Sequence, residues 1–540
     1  MSTQVILRLP EDQQTYTLEC QEGESLLEAL LRQKVTYRAE CGGRGTCGKC
    51  KVKVLTGEVK ITSWDRLLFS EEELQQGYRL SCKAYPEGDC YIELLPGYET
   101  RGYDIVTEMS VKGLKVDNQS AGGQENPTTD PIQSQYPDAA AISAHTGSAL
   151  SIAIDLGTTT LAFALVDPSG RVIRTYTALN PQRAYGADVI SRMKASTEGK
   201  QELLRDGIRA ELEQGIRELI NSEGINQDLI TQIILAGNTT MIHLLMGYDC
   251  STLGTYPFTP VNISTIRLEA SELFSEEYHM PITILPGISV FVGGDILAGL
   301  LACSFDRSEK ISLLVDLGTN EEMALGNRNS ILVTSTAAGP AFEGGNLTCG
   351  VGSIPGAISH VVIEEGLCRY ETIGGKPPLG ICGTGVIELA SELIRTGRMD
   401  ETGLLADPYF EQGFEIGGMR FLQKDIRELQ MAKAAVRAGI EILIRRYGIT
   451  TEAIDKVYLA GGFGYKLDVT KAIRIGLFPP ELTGRIEAVG NSALSGAIRY
   501  LTDIDAETGM EQLLSVSQDI HLSNEPDFFE IYIGAMSFQK

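Results

Sequence analysis

Four cysteines near the N-terminus, Cys41, Cys47, Cys50 and Cys82, limit what this part of the chain can fold into. Three of them stand on one glycine-rich stretch, CGGRGTCGKC, and the fourth follows the letters RLS. Four thiolates, three on a tight loop and one distant, are the ligands of a 2Fe–2S cluster. The glycines let the backbone wrap closely and direct amide N–H groups at the cluster sulfurs. We therefore expect a fold that encloses a 2Fe–2S centre.

Other interpretations of these cysteines are weaker. The spacing C-x5-C-x2-C differs by one residue from the plant-type ferredoxin pattern and resembles that of adrenodoxin-like ferredoxins. A zinc site would more naturally show two Cys-x-x-Cys pairs, and only Cys47 and Cys50 form one. Cys90 is an alternative fourth ligand, although the setting of Cys82 favours that residue. A G-x-G-x-x-G match inside the loop lacks the strand, helix and downstream acid of a dinucleotide site.

The composition of the chain and its pattern of apolar residues change twice after the N-terminus. Residues 1–97 contain short alternating runs and one helical pattern, which predict a small β-grasp, ferredoxin-like domain that a metal centre would help to stabilise. Residues 98–150 are rich in Gln, Asn, Gly, Pro and Asp, which predicts a flexible linker. From residue 151 onward, short apolar strands alternate with amphipathic helices, as in α/β layers.

The long C-terminal part carries a weak internal repeat. SIAIDLGTTT at 151–160 is similar to ISLLVDLGTN at 311–320, and QIILAGNTTMI at 232–242 is similar to KVYLAGGFGYK at 456–466. We therefore expect two duplicated α/β lobes, 151–310 and 311–540, that face each other across a cleft.

The repeated strands end in residues suited to a nucleotide. Asp155 and Asp316 each precede a Leu-Gly-Thr turn, in which the glycine lets the backbone approach phosphate, the hydroxyls donate hydrogen bonds and the aspartate can hold Mg²⁺ or orient water. The glycines Gly461 and Gly462 allow a flat base and ribose to lie against the chain. No P-loop motif occurs in the sequence.

These segments resemble the superfamily of acetate and sugar kinases, heat-shock-70 chaperones and actin. The two Asp-Gly-Thr hairpins are similar to its phosphate motifs and the Ala-Gly-Gly turn to its adenosine motif. Together with the ferredoxin-like domain, the resemblance narrows to the reductive activators of corrinoid proteins, which residues 180–192, 338–345 and 380–385 also fit.

The resemblance implies an actin-like ATPase domain and assigns roles to its residues. It implies that Asp155, Asp316 and Glu321 are catalytic. The residues expected to contact ATP are Asp155, Gly157, Thr158, Thr159, Thr160, Asp316, Gly318, Thr319, Asn320, Gly383, Thr384, Gly385, Gly461 and Gly462.

The resemblance also implies a function. Such proteins accept an electron from a low-potential donor on the 2Fe–2S cluster and pass it to the Co(II) corrinoid of a partner in a methyltransferase system, restoring Co(I), with ATP driving the uphill step. The Asp-x-His-x-x-Gly signature of base-off cobalamin binding is absent, which places the corrinoid on the partner. A homodimer is plausible on the same ground.

Composition excludes some partners. The chain has 46 Lys and Arg against 71 Asp and Glu, a net charge of -25, which disfavours nucleic acid and anionic membrane surfaces. No signal peptide or membrane-spanning run is visible, so we expect a cytoplasmic protein. Alternative functions are a small-molecule kinase with a fused ferredoxin domain, an ATP-dependent redox chaperone, and an activator of a radical dehydratase. The last class typically carries a bridging 4Fe–4S cluster, for which the chain offers no cysteine pattern beside its phosphate motifs.

Overall fold

The structure is a computed structural model that describes residues 3–8, 15–32, 43, 45, 48–95, 149–221, 225–318, 320–462 and 467–538. Cys41, Cys47 and Thr319 lie outside the described residues, as does nearly all of the expected linker. The described chain forms two compact units. One draws on Met1–Asp104, Leu179–Ile208 and His243–Val261, and the other on Ile105–Ala178, Arg209–Ile242 and Asn262–Lys540.

The N-terminal part of the first unit is a mixed five-stranded sheet. Its strands are β1 (Thr3–Arg8), β2 (Thr15–Cys20), β3 (Lys51–Thr56), β4 (Tyr78–Leu80) and β5 (Cys90–Leu94), and its helices are α1 (Leu26–Arg32), α2 (Ser63–Leu68) and α3 (Glu71–Gln75). The strand order is β2-β1-β5-β3-β4, with β1 parallel to β5 and antiparallel to β2. Alternate residues such as Val5, Leu7 and Leu18 are buried with Leu26 and Leu30 of α1, as a half-buried sheet covered by a helix requires. This arrangement confirms the expected ferredoxin-like domain.

The rest of the first unit is helical. It contains α4 (Val189–Ala195), which begins within the stretch 180–192 that resembles the family, and the start of α5 (Gln201–Asn221), which follows that stretch. Asp188 caps α4 by accepting a hydrogen bond from the Ser191 N–H, a typical role for Asp before a helix. Arg192 is fully buried and donates to the carbonyl of Gly186, so this stretch is held by its own turns.

Two six-stranded sheets form the second unit. The first contains β6 (Leu150–Leu156), β7 (Thr160–Val166), β8 (Val172–Leu179), β9 (Ile230–Gly237), β10 (Ile266–Glu269) and β11 (Pro281–Ile284). The second contains β12 (Ser312–Leu317), β13 (Glu321–Asn327), β14 (Ser330–Thr336), β20 (Lys456–Ala460), β21 (Ile486–Gly490) and β22 (Ser517–Asp519).

The two sheets share one topology. Their orders are β10-β11-β9-β6-β7-β8 and β21-β20-β12-β13-β14-β22. In each sheet an antiparallel hairpin, β6–β7 or β12–β13, lies beside a parallel strand, β9 or β20. The expectation of two duplicated α/β lobes is thereby confirmed.

Smaller elements complete the second unit. The strands β15 (Ala357–Glu364), β16 (Leu367–Thr372) and β17 (Gly380–Ile381) form one sheet, and β18 (Phe414–Ile416) and β19 (Met419–Phe421) form a hairpin. The helices are α6 (Thr239–Met246), α7 (Gly294–Ala302), α8 (Gly383–Arg395), α9 (Tyr409–Gln412), α10 (Gln423–Tyr447), α11 (Val469–Arg474), α12 (Ser492–Thr502), α13 (Ala506–Val516) and α14 (Phe528–Gly534).

One core of this unit packs α7 and α12 together with residues of both six-stranded sheets. The two helices cross closely at glycines. A Cβ on Gly496 would stand 1.9 Å from the carbonyl oxygen of Ala298, and one on Gly299 would stand 2.8 Å from Ser492 Oγ. The close crossing brings the N-termini of both helices toward the ends of the repeated strands, where the predicted site residues lie.

Candidate functional site

The first candidate site contains the two described members of the predicted cluster ligands. Cys50 immediately precedes β3, and Cys82 follows β4 in a short 3-10 turn. The pairing of β3 with β4 sets Lys51 opposite Leu80, and the N–H of Ser81 donates to the carbonyl of Cys50 at 2.8 Å. The two sulfurs are consequently 3.3 Å apart, and both side chains are buried. This distance suits two thiolates that bind one iron.

The glycines of the predicted loop adopt conformations that favour glycine. Gly43, Gly45 and Gly48 have φ values of +77°, +81° and +71°, in the left-handed region. A Cβ on Gly43 would lie 4.0 Å from the Cβ of Cys82, so the loop passes next to this ligand. Thiol donors beside a close glycine backbone fit a 2Fe–2S cluster, with Cys41 and Cys47 outside the described residues.

The alternative ligand Cys90 belongs to the core of the sheet. It lies at the start of β5, opposite Val5, and is 4% exposed. Burial raises the pKa of its thiol to about 11, and the charge of Asp89 adds to this shift. Cys90 is therefore a buried thiol of the sheet, whereas Cys82 lies beside Cys50.

The second candidate site lies at the ends of the repeated hairpins. Asp155 is near the end of β6, and the tight turn to β7 needs a glycine, because a Cβ on Gly157 would stand 2.5 Å from the carbonyl oxygen of Thr160. The buried Thr158 hydroxyl accepts a 2.9 Å hydrogen bond from Asn238 Nδ2, and Thr159 Oγ1 donates to Glu343 Oε1 at 3.4 Å. The turn is thus fixed from two sides.

The second hairpin places further carboxylates beside these groups. Asp316 lies near the end of β12, directly opposite Glu322 on β13. Like charges in directly opposite positions of a sheet repel each other when both groups are ionised. Gly318 and Asn320 form the turn between the strands, with Thr319 outside the described residues.

Three aspartates share this region, and the charges of some of them add to the pKa shifts of others. Burial raises the pKa of Asp316 to about 7, and the charges of Asp295 and Asp155 add to the shift. Burial likewise raises the pKa of Asp155 to about 7, opposed by a hydrogen bond from Asn491 and assisted by the charge of Asp295. Burial raises the pKa of Asp295 to about 6, while the backbone N–H of Ile296 opposes the shift. Repulsion between neighbouring carboxylates is typical of a site that binds a cation or a proton.

Two glutamates lie deeper in the same region. Glu321 and Glu322 are 0% and 6% exposed, and burial raises the pKa of both well above the ordinary value. Glu321 Oε2 accepts a hydrogen bond from the Ala338 N–H at 3.2 Å, and its Oε1 has no hydrogen-bond partner among the residues that the structure describes. An unpartnered buried oxygen is costly, which is typical of a group with a role in binding or catalysis.

No three His, Cys, Asp or Glu side chains within the described ranges converge closely enough to hold a metal ion by themselves. This arrangement is compatible with Mg²⁺, which prefers to keep several waters and to be shared with substrate phosphates.

The remaining predicted contacts are glycines that bring backbone to the site. Gly461 has a φ of +92°, and a Cβ there would stand 2.4 Å from the carbonyl oxygen of Leu317 and 2.8 Å from Asp316 Oδ1. Its neighbour Gly462 faces open space. The predicted Gly-Thr-Gly contacts, Gly383, Thr384 and Gly385, form the first turn of α8, and a Cβ on Gly385 would meet the carbonyl oxygen of Ile358 at 2.2 Å.

The sequence analysis missed Asp295, Asn491 and Glu322. Asp295 starts α7, which follows β11, and Asn491 is the N-cap of α12, which follows β21. Because β11 and β21 occupy equivalent places in the two sheets, these two residues are equivalent as well. The signal was available in the sequence, as a Gly-Gly-Asp and a Gly-Asn after the strand next to each repeated Leu-Ala-Gly strand.

Comparison with known proteins identifies families similar to each part of the chain. Residues 9–87 match the family model of the 2Fe-2S iron-sulfur cluster binding domain, residues 150–308 that of the RACo middle region, and residues 310–540 that of the C-terminal domain of RACo, the ASKHA domain. The corrinoid activation enzyme RamQ of Eubacterium limosum is 33% identical over 411 residues, which cover 71% of this chain and 69% of that protein.

Two further relatives extend the comparison. The [Co(II) methylated amine-specific corrinoid protein] reductase of Methanosarcina barkeri is 27% identical, over 72% of this chain and 76% of that protein. A solved structure, "Reductive activator for corrinoid,iron-sulfur protein", is 29% identical with a TM-score of 0.66, and the match covers 99% of this chain and 98% of that one.

Fold and sites together define a protein that joins a 2Fe–2S ferredoxin domain to a duplicated ASKHA domain. The chain belongs to the family of reductive activators of corrinoid proteins. Within the described ranges, even the longest helices fall short of the apolar character that a membrane crossing demands.

Proposed function

We propose that the protein uses ATP to drive an electron from its 2Fe–2S cluster to the Co(II) corrinoid of a partner protein, restoring Co(I). The observation that carries the nucleotide part is the meeting of Asp155 and Asp316, from two equivalent hairpins, in one region where burial raises the pKa of both and the charge of Asp155 adds to the rise for Asp316. A chain with only a redox role has no need for such a site beside glycine turns. Family membership supports the corrinoid part.

Uphill reduction of the corrinoid must be coupled to a second, favourable process. A one-electron transfer that is uphill by 59 mV costs about 1.4 kcal/mol, so reduction of a low-potential centre proceeds only when another process drives it. A ligand can shift such an equilibrium only by its differential affinity for two states of the system. ATP bound between duplicated lobes supplies that difference if one state of the lobes also fits the corrinoid partner.

We assign roles to the residues around the nucleotide. The turns at Gly157 and Gly318 approach the phosphates, with Thr158, Thr159, Thr160, Thr319 and Asn320 as donors. Asp155 and Asp316 would hold Mg²⁺. Glu321, whose Oε1 has no hydrogen-bond partner among the described residues, orients or deprotonates the attacking water.

The remaining assignments concern the base and the cluster. Gly461, Gly462 and the Gly383–Gly385 turn of α8 lie against the adenosine. Cys41, Cys47, Cys50 and Cys82 hold the cluster, which supplies one-electron chemistry when it is bound. A low-potential donor protein reduces the cluster, and the protein forms a homodimer.

The test combines two measurements on the holoprotein under anaerobic conditions. Appearance of Co(I) in a Co(II) corrinoid protein is followed by absorbance, and phosphate release is followed in parallel, with and without ATP. We expect reduction to require ATP and the corrinoid protein to stimulate phosphate release. Asp316→Asn should abolish both while leaving the absorbance of the cluster unchanged.

Other outcomes would point to other functions. Equal reduction without nucleotide would overturn the coupling. A phosphorylated small molecule would indicate a kinase, and phosphate release without any electron transfer would indicate a redox chaperone.

A further inference from the structure

A buried ion pair joins two helices that each begin at or follow a glycine turn of the second candidate site. Lys471 on α11 and Glu388 on α8 are 8% and 3% exposed, and the lysine Nζ lies 2.7 Å from the glutamate Oε2. Charged side chains this deeply buried are rare unless they are paired. Neither residue belongs to the nucleotide contacts described above.

Both members of the pair make further polar contacts. Lys471 Nζ also donates to the carbonyl of Val361 on β15 at 2.7 Å. Glu388 Oε2 accepts from the Val361 N–H at 2.9 Å and lies 2.7 Å from His360 Nδ1. The carbonyl of Val361 on β15 thus accepts a hydrogen bond from the lysine, and the N–H of the same residue donates one to the glutamate. The ion pair therefore connects α8, α11 and β15.

The placement of this pair in the chain connects it to the site. Glu388 lies five residues after Gly383, about 7 Å along the axis of α8 at 1.5 Å per residue. Lys471 is in α11, which follows the Gly461–Gly462 turn along the chain, and Asp468 caps that helix. The pair therefore joins the helix that begins with one glycine turn to the helix that follows the other.

We infer that Lys471 and Glu388 are positioning residues, which set the separation of the two glycine turns and so the fit of the adenosine part of the nucleotide. This inference rests on the proposed ATP site. Breaking a buried pair leaves an unpaired charge, so the loss of either partner moves the elements it joins. The repeated hairpins with Asp155 and Asp316 are held by strand pairs that involve neither Lys471 nor Glu388, so we expect them to keep their geometry.

A second set of contacts, one helical turn further along α8 and α11, provides a matched control. Arg474 on α11 donates to Ser391 Oγ on α8 at 3.0 Å, and Glu392 Oε2 accepts from the Ile363 N–H on β15 at 2.8 Å. These contacts join the same three elements but lie further from the glycine turns. Their loss should disturb stability without a selective effect on the nucleotide.

The experiment compares Lys471→Met, Lys471→Arg, Glu388→Gln and Arg474→Met in the holoprotein. Binding of ATP and of inorganic tripolyphosphate is measured by calorimetry, and the KM for ATP and kcat by phosphate release. For Lys471→Met and Glu388→Gln we expect a loss of ATP affinity and a rise in KM of about tenfold, the size of a typical coupling between sites, with kcat and tripolyphosphate affinity unchanged. Lys471→Arg should recover part of the loss, and Arg474→Met should bind both ligands normally.

The outcomes separate the two proposals. Failure of the wild-type protein to bind ATP would overturn the proposed function. Normal ATP binding by wild type, with equal losses for ATP and tripolyphosphate in Lys471→Met or equal effects of Lys471→Met and Arg474→Met, would overturn the positioning role alone. If Lys471→Met does not fold, Glu388→Gln and Lys471→Arg decide by the same ratio of affinities.

Discussion

Asn491 Nδ2 donates a 2.8 Å hydrogen bond to Asp155 Oδ2, and the two residues are 336 positions apart in the chain. The same side chain accepts from the N–H of Leu494 at 2.8 Å and caps α12. One side-chain amide thus caps the start of the helix that follows β21 of the second sheet and holds a carboxylate near the end of β6 in the first. The bond fixes the orientation of Asp155 and opposes the rise of its pKa.

Replacement of Asn491 by alanine should affect stability and activity together. Loss of the cap should cost about 1 kcal/mol of unfolding free energy. Loss of the bond to Asp155 should remove the group that favours its ionised form, and ATP-dependent phosphate release should fall. Thermal unfolding and phosphate release measure the two effects.

Asn226 offers a control for that variant. Its side chain caps a short exposed turn by accepting from the Asp228 N–H, away from the carboxylates. Asn226→Ala should lose little stability and no activity. A normal rate of phosphate release in Asn491→Ala would contradict the role given to the bond.

The aspartates predict a pH dependence of the nucleotide-free, metal-free protein. The pKa of Asp155 and Asp316 is about 7 in the fold, against about 4 for an unfolded aspartate. Between pH 4 and 7 the folded state therefore binds more protons than the unfolded state, so stability falls as pH rises through this range and levels off above about pH 7. In Asp316→Asn the decline in the unfolding midpoint should be smaller.

A carboxyl group whose pKa is lowered rather than raised provides the comparison. Asp167 lies in a surface turn where Ser169 and Arg171 hold the pKa of its carboxyl below the ordinary value, although its partial burial opposes them. Its ionised form stabilises the fold, so Asp167→Asn should lower stability at neutral pH more than at pH 4. Equal pH profiles for wild type and Asp316→Asn would show that the Asp316 carboxyl is not protonated in the folded state.

Glu322 should tolerate an uncharged replacement. Burial raises its pKa well above the ordinary value, with the charges of Asp295 and Asp316 adding to the shift, so the fold favours the protonated form of this side chain. Glu322→Gln has the same shape and should keep the unfolding midpoint and phosphate release near wild type. Glu322→Ala, which leaves a cavity, should unfold at lower temperature. A loss of activity in Glu322→Gln at normal stability would mean that the carboxylate ionises during turnover.

The Ala-Gly-Gly turn allows a test with adjacent residues. Gly461→Ala places a Cβ at a φ of +92° and within 2.4 Å of a carbonyl oxygen, so we expect a loss of at least about 1–2 kcal/mol of stability. Gly462→Ala projects into open space and should leave the nucleotide-free protein stable. Unfolding of both variants without nucleotide measures this difference, and equal stability would contradict the close approach.

The fourth cluster ligand is decided by a pair of cysteine variants. Cys82→Ser should remove or strongly alter the EPR signal of the reduced holoprotein, because its sulfur lies 3.3 Å from that of Cys50. Cys90→Ser should retain the signal, since this thiol lies opposite Val5 and near Cys20. The reverse result would exchange the roles of the two residues.

Local sequence patterns predicted the ferredoxin-like domain, the duplication and the hairpin aspartates. Each depends on a strand, a turn and a glycine within a few residues, for which sequence spacing is informative. The partnership of Asn491 with Asp155 could not be predicted in this way, because it joins residues 336 positions apart.

The burial of charged side chains was equally hard to predict from the sequence. Glu388 and Glu392 are spaced as on one face of α8, and a pair of acidic residues at this spacing is ordinarily taken for a solvent-exposed surface. Both are instead buried and accept hydrogen bonds from amides of β15. Only the packing of a strand against that face reveals the difference.

The opposition of Asp316 and Glu322 has a consequence for how such chains can vary in length. Side chains alternate between the two faces of a strand, so a slip of one residue in the β12–β13 hairpin would exchange Glu322 for Glu321 opposite Asp316. Insertions and deletions should therefore be excluded from the turn at Gly318–Asn320, while the exposed turn at Arg328–Asn329 is free to change length. Conserved spacing, more than conserved letters, should identify working members of the family.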